Sequence, residues 1–442
     1  MINTSSITRS ARIALWSVLI ISNASFATCA ETPAEWSKAH ADELVALYAE
    51  LHQAPELSKH EEVTGRRIGE ELKKAGIDAT TGVGGTGVVG LLKNGPGQVV
   101  MLRTDLDALP VTEQTGVPYA SKVRVRDEQG NEVGVMHACG HDIHMTNLVG
   151  VARYLASHRD QWSGTVIFIG QPAEERGAGA RAMLEDGLFT RFPKPDLALA
   201  LHVDSSLPTG KIGVRPGPNM ANVDSVDITL QGRGGHGAYP HLTVDPVVMA
   251  AYLIVDLQSI VAREVGPTEP AVITVGSIHG GAKHNVISDT CHLQLTVRSY
   301  NDEVRKHLLG AIRRKSLAVA RSFRAPEPVI TLSEGTPALS NDPALVERVT
   351  PTFRRVLGEE NVVLAEQTMG GEDFSEYGRA GVPIFMYRLG SVEQPRLDRY
   401  RQLGTEPPTL HSALYYPEPR ETLTVGVTTM ASAVLDLLPK AK

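Results

Sequence analysis

Short apolar runs at residues 99–102, 165–170, 196–201 and 382–387 set the frame for this chain. They are too short for helices and lack the alternation of a strand with one wet face, so each reads as a strand buried on both sides. Helical periodicity fills much of the sequence between them. Strands alternating with helices give βαβ units and a mostly parallel sheet, and in such sheets ligands gather beyond the carboxyl ends of the strands. Chemistry-bearing residues stand in that place. Asp105 and Asp107 follow the first run, Glu174 and Glu175 the second, and His202 the third, while His411 lies in the loop after the fourth. The chain therefore reads as an α/β protein with its chemistry on one sheet edge.

The densest such stretch is Met136-His137-Ala138-Cys139-Gly140-His141-Asp142-Ile143-His144. Apolar residues Leu148, Val149, Val151, Ala152, Leu155 and Ala156 follow at the spacing of one buried helix face. The cluster thus precedes or opens a helix, where free N–H groups and the macrodipole favour a thiolate. Cysteine thiolate and neutral imidazole are ligands for zinc and other borderline divalent metals. Asp105 and Asp107, directly beyond a buried strand, need hydrogen bonds, solvent or a cation. Adjacent Glu174 and Glu175 do not face the same way, so one can hold a metal while the other points at substrate. Taken singly, each of these residues has an ordinary structural reading; their shared position does not.

At 442 residues the chain exceeds one ordinary core. Between residues 215 and 332 the texture changes to alternating strands at 223–230 and 290–297, with amphipathic helices at 246–263 and 302–321. This reads as an α+β insert interrupting a catalytic domain made of residues 31–214 and 333–442. A net charge of -7 with 21% charged residues offers nothing to nucleic acid or to an anionic membrane. Arg9 and Arg12, an apolar run at 13–21 and small residues up to Ala30 form a secretory signal peptide over residues 1–30. The protein is expected to be exported, periplasmic or secreted, and free of membrane after cleavage. Cys291 reads as a small core residue, and Cys139 as a metal ligand.

Several stretches together closely resemble peptidase family M20, in its branch of hippurate hydrolase-like, aminoacylase-like and indole-acetyl-amino-acid hydrolases. They are Arg103-x-Asp105-x-Asp107-Ala108-Leu109-Pro110, Met136 to Asp142, Gln171-Pro172-Ala173-Glu174-Glu175 and Met369-Gly370-Gly371-Glu372-Asp373-Phe374. The resemblance implies a parallel-sheet metallohydrolase with a satellite dimerisation domain, and a site for two divalent ions (zinc, manganese, cobalt or nickel). Cys139 would bridge them, with His141, Glu175, His202 and His411 as the other ligands. Glu174 would be the general base, and Asp107 would orient a ligand from behind. His236 would stabilise the oxyanion, and Asn285 and Arg298 would hold a substrate carboxylate. Ser288 stands where the family favours proline, residues 295–298 lack a usual glycine, and Tyr415 to Pro419 replace a more polar segment. These departures bear on substrate preference and leave the proposed ligands untouched.

The expected activity is hydrolysis of N-acyl or N-aroyl amino acids, or of dipeptides with a free C-terminal carboxylate, by a homodimer. An aminopeptidase is the nearest rival and would need an acidic recess for an ammonium group. A metal-binding protein without catalysis would not need Glu174.

Overall fold

The apolar runs form the middle of a sheet because each strand is covered on both faces. In the computed structural model the described residues are 1–3, 30–127 and 129–440, so the segment expected to be a signal peptide lies largely outside them. The large sheet comprises β1 (Asp78–Val83), β2 (Gly87–Asn94), β3 (Val99–Asp105), β4 (Gly164–Gln171), β5 (Leu197–Pro208), β6 (Ile212–Val214), β7 (Val362–Leu364) and β8 (Ile384–Val392). Its order is β1-β2-β4-β3-β5-β8-β6-β7. The central strands β4, β3, β5 and β8 are all parallel.

Successive residues on these strands enter different cores, as the period of two requires. Val100, Leu102, Val166, Phe168, Leu199 and Phe385 pack on one side. Met101, Ile167, Ile169, Ala198, Ala200 and Met386 pack on the other, with Met183, Phe374 and Tyr377. Truncating one of the large members, such as Phe168, is expected to cost about 3–5 kcal/mol.

The first side is roofed by α1 (Ala41–Gln53), α2 (Glu62–Lys74), α3 (His141–Ser157), α4 (Pro343–Leu357) and α5 (Pro419–Leu437). The helix that opens at the histidine cluster, α3, is the central one. It packs on α1, α2, α5, β3 and β5. Sequence periodicity predicts one buried face, yet every residue from His141 to Ala152 is buried, because neighbours surround the helix. Its start is set by Gly140 at φ 76°. A Cβ there would come within 2.6 Å of Val203 on β5, so only glycine admits this turn so near the sheet.

A second, antiparallel sheet runs in the order Ala271–Gly280, Thr290–Ser299, Asn222–Gln231, Val329–Thr336. Val226, Ile228, Leu230, Leu293, Leu295 and Val297 face helices Pro246–Glu264 and Asp302–Ser322, and Cys291 lies in the same core as a free thiol. Along the first helix, Val248, Tyr252 and Val255 remain exposed as a stripe.

His52, at the end of α1, ties the first turn of α3 to the loop ahead of it. Its Nδ1 lies 2.6 Å from Asp142 Oδ2, and its Nε2 lies 3.2 Å from Glu113. Burial alone would lower its pKa, but the two carboxylates win and lift it to about 9. A raised folded-state value means stability that is complete below about pH 6.5 and lost as pH rises through 9. A shift of this size corresponds to about 3 kcal/mol. Denaturant unfolding of the wild type should therefore weaken between pH 6.5 and 9, and His52→Gln should flatten that slope. Equal slopes in the two proteins would show that His52 is not charged in the fold.

Candidate functional site

Asp105, Asp107, Glu174 and Glu175 meet at the carboxyl ends of β3 and β4, beside His202 midway along the longer β5, where the first turn of α3 and the loop carrying His411 also arrive. Two backbone contortions aim the ligands. Ala173, just before Glu174, has φ 48°, and His411 has φ 68°. Such left-handed positions are uncommon away from glycine and persist only where the surroundings hold them. Glu61 accepts the Ala173 N–H at 2.8 Å, and the Ala138 carbonyl accepts the His411 N–H at 2.9 Å.

The Cys139 thiol lies 3.6 Å from His202 Nε2 and 3.3 Å from His411 Nε2. Glu175 Oε1 is 3.5 Å from His411 Nε2 and 3.9 Å from His141 Nε2. Glu174 Oε2 is also 3.9 Å from His141 Nε2. Among the overlapping donor groups with atoms within 4.8 Å of one another are Cys139–His141–His202, Cys139–Glu175–His411 and His141–Glu174–Glu175, and Cys139 is shared by the first two.

The tautomers follow from the partners, since a carbonyl oxygen only accepts. His141 Nδ1 donates to the Asp107 carbonyl at 2.8 Å, and His202 Nδ1 donates to the Val203 carbonyl at 2.8 Å. Both rings therefore turn an Nε2 lone pair toward Cys139. His141 Nε2 and Glu175 Oε1 are buried without a hydrogen-bond partner among the described residues. Burial, with Glu175 beside it, pushes the Cys139 thiol well up, and burial lifts Glu175 to about 7. This reverses the lowered thiol pKa expected at a helix N-terminus, because desolvation and carboxylates outweigh the macrodipole here. Mixed S, N and O donors that ionise together only around a cation fit divalent metal ions.

Asp107 braces the ligands: its Oδ2 accepts from Ser58 at 2.6 Å and from the Glu175 N–H at 3.0 Å. Asp105 is bridged between Arg103 and His144, both at 2.7 Å. His144 Nε2 in turn accepts the Val203 N–H at 3.0 Å, next to His202. Sequence reasoning left His144 without a role, although its place one helical turn after His141 was the available signal. Glu174 is buried against Glu372, and burial, Glu372 and Glu175 push its carboxyl well up.

A cavity of about 420 Å³ opens on this cluster, with Cys139, Glu174, His202, Arg298, Arg388 and His411 in its lining. A larger cleft of about 610 Å³ near Tyr300 and Arg379 contains none of these ligands, so chemistry and not size selects the site. Arg298 is half-buried and donates to the Met369 carbonyl at 3.0 Å. His236 and Asn285 stay outside the cavity lining. They are exposed neighbours on the second sheet's side, joined where the Gly237 N–H meets the Asn285 carbonyl at 2.9 Å.

Residues 101–399 match the family model described as Peptidase family M20/M25/M40. A thermostable carboxypeptidase 2 of Saccharolobus solfataricus is 37% identical over 359 residues, covering 80% of this chain and 87% of the relative. An N-acetyl-L-cysteine deacetylase of Bacillus subtilis is 37% identical over 339 residues, covering 76% and 77%. A solved Bacillus subtilis structure, described as a dinuclear metal binding peptidase from M20 family, superposes with TM-score 0.74 at 31% identity. It covers 91% of this chain and 99% of its own.

The geometry makes His144 a positioning residue for Asp105 and the β5 backbone. His144→Leu should weaken metal binding about 10- to 100-fold, measured by competition with a chelator, with partial rescue by His144→Gln. Unaltered affinity would remove His144 from the site.

Proposed function

The chain belongs to peptidase family M20/M25/M40 and is a metal-dependent amidohydrolase, and we propose that it cleaves N-acyl or N-aroyl amino acids, or dipeptides, bearing a free C-terminal carboxylate. The observation carrying this reading is a half-buried Arg298 in the same cavity as Glu174 and the Cys139 cluster. An arginine fork suits a carboxylate. An aminopeptidase would need a free acidic recess. Asp373 is engaged by Gln171 and the Ala180 N–H, and Glu372 Oε1 by Arg103 and the Phe374 N–H. Of these two residues this leaves only Glu372 Oε2 unpartnered among the described residues, in a lining that also carries Arg298 and Arg388.

Cys139, His141, Glu175, His202 and His411 would hold two divalent ions, zinc, manganese, cobalt or nickel. When bound, these supply Lewis acidity that polarises the scissile carbonyl and acidifies water. Glu174 takes the proton from water and delivers it to the leaving amine. Its buried, carboxylate-rich surroundings favour holding a proton between those steps. Asp107 keeps the His141 ring in the tautomer that presents Nε2. Arg298, with Asn285, holds the carboxylate and so places the amide beside Glu174. His236 meets the developing oxyanion once the second sheet's module closes over the cavity.

The exposed Val248–Tyr252–Val255 stripe and the outer strand Ala271–Gly280 support a homodimer through the satellite module. Export rests on the pattern of residues 9–30 alone.

The direct test is a metal-loaded assay over N-acetyl, N-benzoyl and dipeptide substrates, each beside its amide or free-amine counterpart. Chelation should abolish turnover. Glu174→Gln should keep metal and lose about 10²–10⁴-fold in kcat, whereas Glu175→Gln should also lose metal. Full activity after exhaustive metal removal would end this reading, and an empty Glu174→Gln site would exchange the two glutamates. His236→Ala should lower kcat with metal content intact, and Arg298→Ala should mainly raise KM and abolish the preference for a free carboxylate. A scattering mass equal to one chain would remove the dimer, and unchanged kinetics in both variants would remove the module from catalysis.

A further inference from the structure

Arg388 is a buried cation that the reaction described above does not use. It lies within β8 with 7% of its surface exposed, on a strand whose every residue is buried. Parallel pairing sets it opposite His202 on β5, and antiparallel pairing sets it opposite Gly213 on β6. Its Nη2 has no hydrogen-bond partner among the described residues, and no carboxylate there forms an ion pair with it. Burial lowers its pKa below the usual guanidinium value, and Asp204, Glu372 and Cys139 only partly offset this. The carboxylate that acts on it most, Asp204, turns Oδ1 toward the Ser206 and Leu207 N–H groups. Buried arginines are normally paired, because an unpaired charge away from water is strongly unfavourable. Arg103, two strands away on β3, shows the contrast, with Asp105, Glu372 and Asp373 all in ion-pair contact.

The position of Arg388 says where a partner would come from. It lines the metal-site cavity and also a neighbouring cavity of about 480 Å³ that includes Gly213 and Ala365, in which Arg388 is the one cation among the lining residues, beside Asp204 and Glu366. Small residues keep that space open: a Cβ at Gly213 would stand 3.1 Å from Ala365 Cβ and 3.3 Å from Arg388 Cβ. Arg298 lines the first cavity from the second sheet, so the ligand cluster is flanked by one arginine from each sheet. We propose that Arg388 and the cavity behind it form a subsite for a second carboxylate on the substrate, so that the preferred substrates are N-acyl amino acids carrying two carboxylates. This rests on the reading of Arg298 as the anchor of the amino acid's own carboxylate. The second carboxylate can sit on the acyl group or on the amino-acid side chain; both offer the same planar anion to a guanidinium fork.

The test compares matched pairs on the metal-loaded full-length enzyme. N-succinyl-L-alanine against N-butyryl-L-alanine probes the acyl end, and N-acetyl-L-glutamate against N-acetyl-L-glutamine probes the side chain. In at least one pair the diacid should be favoured in kcat/KM by about 10- to 100-fold, the worth of one charge-assisted contact. Arg388→Leu should bring that ratio toward one through KM, and Arg388→Lys should retain part of it. No preference in either pair overturns the proposal. So does a loss in Arg388→Leu that falls on kcat equally for diacid and neutral substrates, which would place the arginine at the reacting atoms. Should Arg388→Leu fail to fold, the wild-type ratios and Arg388→Lys still decide. If no N-acyl amino acid is cleaved, the proposed activity fails by itself. Calorimetric binding of glutarate then decides the subsite: binding that Arg388→Lys weakens supports it, and absence of binding overturns it.

Discussion

Arg103 is the interaction on which the catalytic edge depends. It is buried at the end of β3 and touches Asp105, Glu372, Asp373 and Gln171 at once. Without a cation these carboxylates could not share a dry space with Glu174, since each would remain solvated or protonated. Removing one partner of such a buried pair costs about 3–5 kcal/mol through the charge left behind. The guanidinium also joins distant parts of the chain. Asp105 faces His141 from the sheet, while Glu372 faces Glu174 from a loop more than two hundred residues later. One planar cation thereby sets both sides of the reaction centre.

Around that anchor, the candidate residues differ in burial and in the kind of element that carries them. His141 and Cys139 stand on or beside α3, which is packed on every side, and His202 is held by a central strand. Glu174 and Glu175 occupy a single tight turn whose backbone is held by Glu61 and Asp107. His411 comes from a loop and is the most exposed of the proposed ligands. Arg298, His236 and Asn285 belong to the second sheet's side, and only Arg298 reaches the cavity. Four of the five proposed ligands thus stand on or beside buried elements of the large sheet and α3, while Arg298, His236 and Asn285 are brought by the second sheet's side.

Much of this was legible in the chain. Continuous apolar runs mark strands buried on both faces, and alternating runs mark a sheet covered on one face; both physical situations occur where those patterns stand. Cys139 and His141 stood out through residue type ahead of a helix, and Glu175 and His202 through their place beyond strand runs, whereas His411 and the set as a whole came from the family resemblance; the five side chains converge within a few ångströms. His144 and Arg388 were not legible. His144 lies inside a helix turn that already had an explanation, and Arg388 directly follows the fourth apolar run, where its place was the available signal; only the neighbouring strand shows what each side chain meets or lacks.

The sequence by itself determined the period of each element, the chemical hardness of the ligand set and the strand ends at which it collects, because these follow from residue type and short spacing. Tertiary structure decided the strand order β1-β2-β4-β3-β5-β8-β6-β7, the sharing of Cys139 by two donor groups and the raised thiol pKa. It also decided the separation of His236 from the cavity and the isolation of Arg388 between two cavities. These depend on contacts between residues far apart in the chain and on the desolvation that packing imposes. A local pattern carries neither.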